Sequence, residues 1–303
     1  MSASDPLSLA SSAPGDAGSL GAARRRTRRL RGAPLIPIAV LGAVVIAGLG
    51  AGVLAPHDPT LGDLAFYFKP PAWVAGGDPQ FVLGTDQLGR DVLSRIIFGA
   101  RVSLVVVALS IAAGGGLGAL LGLIAGHAGG WVDEIVMRLV DVQLALPTIL
   151  VTLVLVIVFG SSFELLILII GFWLWPTYAR LVRGEVRRIR TMDYVALARV
   201  AGASNARIMF VHELPGVVNT LIVVATLQAG WVILLEGSLS FLGVGVPPPT
   251  PTWGSMISEG RNFIATNWWV SLFPGVAMLM TVLSLNLLGD WLRDVLDPKQ
   301  VVV

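Results

Sequence analysis

Residues 102–126, VSLVVVALSIAAGGGLGALLGLIAG, decide the fold, because this run contains no Asp, Glu, Lys or Arg. It exceeds the roughly 20 apolar residues that an α-helix needs to cross a bilayer. Working outward, six further windows are free of charge: 32–56, 142–163, 165–179, 214–235, 237–258 and 262–289. The window 237–258 holds Pro247, Pro248, Pro249 and Pro251 with Gly243, Gly245 and Gly254, and that density predicts a loop. The window 165–179 is short, but Glu164 and Arg180 can sit at the interface and extend it. Six spans remain, and they predict an all-α membrane protein.

Composition agrees. The chain has 303 residues, of which 55% are hydrophobic and only 13% charged, about half the charge of an ordinary soluble domain. That deficit excludes a soluble enzyme, whose surface would need more polar groups. Cysteine is absent, which excludes disulfides, iron-sulfur clusters, thiolate zinc sites and cysteine nucleophiles.

An even number of spans puts both termini on one side, and the positive-inside rule selects the cytoplasm. Arg24, Arg25, Arg26, Arg28, Arg29 and Arg31 precede span one, and Arg180, Arg183, Arg187, Arg188, Arg190, Arg199 and Arg207 follow span four. With Arg138, Arg293 and Lys299, sixteen of the 21 basic residues fall inside, leaving Lys69, Arg90, Arg95, Arg101 and Arg261 outside. The expected organisation is a disordered cytoplasmic tail at 1–33, a first transmembrane helix at 34–56 and an extracytoplasmic segment at 57–100. A core of five further helices follows at 101–290, with a cytoplasmic loop at about 180–213 and a tail at 291–303. The arginine cluster reads as an orientation signal, with lipid or nucleic-acid binding as the alternatives.

Span two carries Gly114, Gly118, Gly122 and Gly126, one every four residues. Such a ridge lets a second helix approach closely where no hydrophobic effect drives association. Trp253, Trp268 and Trp269 lie near the outer boundary, where an aromatic belt is expected.

Enzyme motifs fail on inspection. His212-Glu213 would start H-E-x-x-H, but position 216 is glycine, so no metal site follows. A phosphate-binding loop needs a glycine before its lysine, and neither Lys69 nor Lys299 has one. No cofactor is expected on this chain, so uphill transport would draw energy from an ion gradient or another subunit. Ion coupling would call on Asp141, Glu236 or Asp290, all read as lying at span ends.

The loop itself reads as helical. Tyr194, Leu197, Ala198 and Ala201 share a face, Asp193 and Arg199 lie off it, and Gly202 interrupts the helix. Such a face suits either docking onto a partner or packing on its own bundle. Here the sequence resembles a family. YVALARVAGAS at 194–204, continuing to HELP at 212–215, resembles the cytoplasmic EAA loop of ABC-importer permeases, with Ala196 where that family has its glutamate. LGTDQLGRDVLSR at 83–95, GGWVDE at 129–134, MRLVD at 137–141, LSFLG at 239–243 and NLLGD at 286–290 are similar to the dipeptide/oligopeptide/nickel branch, specifically its second, C-type subunit.

The resemblance implies a type I importer bundle of six transmembrane helices in a bacterial or archaeal cytoplasmic membrane. It implies a homologous B-type permease as partner, two cytosolic ATPase domains that hold ATP and magnesium, an extracytoplasmic substrate-binding protein, and no nucleic acid. Tyr194, Ala198, Arg199, Gly202 and Ala203 would dock an ATPase, with Pro215 setting the angle of the next span. Gln228, Trp231 and Glu236, on span five, are the expected pathway residues. The implied function is import of di- or oligopeptides without catalysis by this chain. A nickel or metal-chelate importer and an ion-coupled secondary transporter are the alternatives.

Overall fold

The computed structural model describes residues 33–296. The tail arginines up to Arg31, and Lys299, lie outside them. Helix α1 (Leu35–Leu49) continues after Gly50 in a turn at Ala51–Leu54. A long irregular segment leads to α2 (Val92–Ala128), followed by α3 (Gly130–Leu144), α4 (Thr148–Phe159) and α5 (Phe163–Arg190). The short α6 (Asp193–Val200) precedes α7 (Asn205–Phe241), α8 (Trp253–Gly260) and α9 (Trp269–Leu296).

Four of these, α2, α5, α7 and α9, are long and apolar enough to cross a membrane. The six-span expectation is therefore not reproduced as six straight helices. The window 142–163 divides: α3 and α4 meet at 85° and make a fifth span only if the bent pair counts as one. Pro147 is the reason, since it lacks a donor and disfavours helical backbone at the residue before it. Helix α1 is apolar but has 15 residues before its break. Conversely, the proline-rich window 237–258 ends in helix rather than loop, because Thr252 and Ser255 form a reciprocal capping box that starts α8.

Capping also fixes the starts of α2 and α5. The Asp91 carboxylate accepts from Ser94 N–H at 2.9 Å ahead of α2, and Ser162 Oγ accepts from Leu165 N–H at 3.1 Å ahead of α5. Two long helices contain a π-helical turn: Ile111–Gly115 in α2 and Ile208–Glu213 in α7.

The glycine ridge is the seam between α2 and α5. A Cβ on Gly114 or Gly118 would overlap the backbone carbonyl of Gly171 or Trp175, and one on Gly122 would lie 2.5 Å from the Ala179 oxygen. Gly126 faces Val186 in the same way. One apolar core joins the middle of the bundle through Val106, Ile170, Leu174, Val232 and Leu239. A second gathers at the end that carries α6, and two more at the opposite, far end. Leu49, Val53 and Ile157 are among large apolar side chains left exposed on α1, its continuation and α4, as lipid contact allows.

Candidate functional site

The α6 end is built as a rigid corner. Helix α6 starts after the extended Met192 and carries Asp193 in its first turn, where the helix dipole favours an acid. It ends in a Schellman motif: Gly202 N–H donates to Arg199 O and Ala203 N–H donates to Ala198 O, both at 3.0 Å. That closure needs the left-handed conformation, and Gly202 has φ +84°. Ser204 then caps α7, its Oγ accepting from Arg207 N–H at 3.3 Å. The chain reverses within four residues.

The corner is pinned from below. Val195 and Ile208 are both fully buried, in a cluster with Leu123, Val182, Val186, Ile189 and Val217. Tyr194 OH donates to His212 O at 3.4 Å. With Val195 as the anchor, the opposite face points outward: Tyr194, Leu197 and Val200 are 45%, 68% and 87% exposed. Phe210 and Val211 extend this apolar surface onto α7. Arg199 is exposed, Ala198 and Ala203 are half-buried, and Gly202 has open space where a Cβ would stand. Sequence spacing alone missed Val195 and Ile208, whose burial decides which way the helix faces.

Pro215 sits directly after the π-helical turn of α7. Its missing N–H leaves one carbonyl of the preceding turn free, and the widened turn absorbs that irregularity. Gln228 and Trp231 are half-buried on α7, and the Trp231 indole packs between two of the apolar clusters. Glu236, read as a span-end group at an interface or bonding between helices, is 1% exposed and accepts from Ser240 Oγ at 2.6 Å. It lies beside the contact of Gly237 with Gly254, where α7 and α8 touch backbone to backbone.

A cavity of about 560 Å³ opens at the α6 end between α5, α7 and α9. Glu185, Arg188, Asn219, Thr220 and Arg293 give it a polar rim, and Val223, Val224 and Leu227 an apolar wall. Arg188 Nε donates to Glu185 at 2.8 Å. Further ion pairs line this end: Arg180 with Asp141 at 2.6 Å, and Asp133 with both Arg183 and Arg187, the latter at 2.5 Å.

At the far end, the segment 83–95 forms a buried ionic knot. Asp86, with no exposed surface, accepts from Arg90 Nε at 2.7 Å and from Arg95. Both arginines reach on to Glu259 of α8, Arg90 at 2.7 Å and Arg95 at 2.8 and 3.1 Å, and Gln87 donates to the same carboxylate at 3.0 Å. Burial would raise the Glu259 carboxyl, but the Arg95 hydrogen bond and charge, the Arg90 charge and the Gln87 amide outweigh it and hold it below the ordinary value. The aromatic-belt expectation fails for two tryptophans. Trp253 and Trp269 are buried and donate to Ile96 O at 3.0 Å and Thr85 O at 2.9 Å, so they brace the knot instead of facing lipid. Among the described residues no cluster of three His, Asp or Glu could hold a metal ion.

Residues 118–302 match the model of a family described as binding-protein-dependent transport system inner membrane component. A di/tripeptide transport system permease protein of Pseudomonas aeruginosa is 44% identical, covering 84% of each chain. A dipeptide transport system permease protein of Escherichia coli K12 is 45% identical over 90% of each. A glutathione transport system permease protein of Pectobacterium atrosepticum is 43% identical over 72% of each.

Proposed function

Since the chain belongs to the family of binding-protein-dependent transport system inner membrane components, we propose that it is the C-type permease subunit of an ABC importer for short peptides. The names of the relatives support that cargo, as they specify dipeptides, di/tripeptides and glutathione. The observation that carries the reading is the outward apolar face of α6 on a corner fixed by Gly202. That face docks a cytosolic ATPase, so on this reading the α6 end faces the cytoplasm, and the even span count read from the sequence supports both termini there as well.

ATP and magnesium act in the ATPases, and this chain makes or breaks no covalent bond. Closure of the paired ATPases draws α6 with it. Because the corner is rigid, the pull reaches the long helices as a rocking motion, and the pathway opens toward a binding protein at the far end. The path runs along α7 beside its homologous B-type partner, past Gln228 and Trp231 to the cavity at the α6 end. The mixed polar and apolar lining of that cavity suits cargo with charged termini and varied side chains.

The test is reconstitution of the complete transporter with labelled dipeptide. Val200→Asp should abolish ATPase co-purification and uptake while the permease stays in the membrane, whereas unaltered capture of the ATPase would refute the docking face.

A further inference from the structure

Glu213 is fully buried where the docking segment becomes the straight part of α7. Both its carboxylate oxygens lie on one atom, Nδ1 of His127, at 3.0 and 2.9 Å. An ionised carboxylate only accepts, and Nδ1–H is the donor that such a pairing requires. His127 belongs to the last turn of α2, 86 residues away in sequence. An enclosed carboxylate is retained only when it is bonded, and here a single imidazole supplies the bond.

We propose that His127 and Glu213 are positioning residues that transmit displacement of α6 to the packed pair α2 and α5. The inference rests on the docking reading of α6 given above. Its argument is directional. The apolar contacts that seat Val195 and Ile208 beside Leu123 and Val186 resist separation, but they are non-directional and allow sliding. A charge-assisted hydrogen bond fixes register as well as distance. His127 follows Gly126, the last member of the glycine ridge, so a pull on the imidazole acts on a helix already locked to α5 along its length. The π-helical turn ends at Glu213 and sets its direction, away from the exposed Val211 and into the bundle. Without this tie, α6 would act on α2 and α5 only through those apolar contacts.

The test uses the complete reconstituted importer and reads peptide transported per ATP hydrolysed alongside the amount of assembled complex. Replacing both residues with leucine removes the tie without burying a lone charge, an exchange that proteins often tolerate. His127→Leu/Glu213→Leu should assemble normally yet transport at least about fivefold less per ATP, the lower end of typical coupling between sites. Exchanging the partners, His127→Glu/Glu213→His, should restore most of the loss. A parental ratio in the double leucine variant would overturn the proposal, as would a loss of uptake that merely tracks loss of assembled complex. Val200→Asp run in parallel separates the two claims, since it reports on docking alone.

Discussion

The two ends of the molecule differ in how much of their charge they enclose. At the far end, Asp86 and Arg95 are almost completely enclosed and bonded to each other, and Arg95 is bonded also to Glu259, which is contributed by a helix more than 160 residues later. At the α6 end, Glu213 and Asp133 are buried and paired, but Arg180 and Asp141 pair half exposed on both sides, and the apolar groups of α6 face outward. Exposed pairs contribute little to stability, while a buried pair is expensive to break. The far end is therefore organised to hold one shape, and the α6 end to present a surface.

The contrast can be broken most forcefully at Arg95. Arg95→Met should destabilise the protein by about 3–5 kcal/mol, because Asp86 keeps its burial and loses a partner. Thermal unfolding in detergent measures this, and a change below about 1 kcal/mol would show that the knot is not structural. Next comes acid. The Glu259 carboxyl is depressed, so its contribution is fully present above its unfolded value of about 4.3 and disappears as pH falls through the lower folded value. Melting curves from pH 7 to 3 should fall more steeply for the parent than for Glu259→Gln. Parallel curves would remove Glu259 from the knot. Smaller again is Trp253→Phe, which loses the hydrogen bond to Ile96 O and should cost about 1 kcal/mol by the same melting assay. The smallest effect on stability belongs to the opposite end: Val200→Asp should shift unfolding by no more than about 0.5 kcal/mol, as the side chain already faces outward. A large shift there would mean that α6 packs on its own bundle.

What could be read from sequence followed the range of the interactions involved. The glycine ridge is a local pattern, and it faces α5 as a four-residue spacing requires. The charge-free window of span two opens at 102, after an extracytoplasmic segment expected to run to 100, but helix α2 begins at Val92. Charge ended the predicted span, and nothing near Arg95 in sequence reveals that Glu259 compensates it. The tryptophans failed for a related reason, because the carbonyls that accept from Trp253 and Trp269 lie 157 and 184 residues away. On α6, periodicity found the apolar face, but its direction depends on Val195 and Ile208 meeting residues of α2 and α5. Glu213 was noticed in a failed metal motif and in the HELP stretch, and neither reveals its partner His127, which belongs to a different helix.

The π-helical turn at Ile111–Gly115 gives α2 the logic of a screw with a deliberate phase step. A π turn admits one residue more than an α turn, so everything beyond it is rotated by about 100° relative to an uninterrupted thread. The turn falls where the ridge begins, at Gly114. The half of α2 before it presents Val106 to the central core, and the half after it presents glycines to the same neighbour, α5. Deleting one residue from 111–115 would leave composition and apolar length nearly untouched, yet it would swing Gly118, Gly122, Gly126 and His127 out of phase with their seats. In this helix the count of residues is itself a mechanical setting.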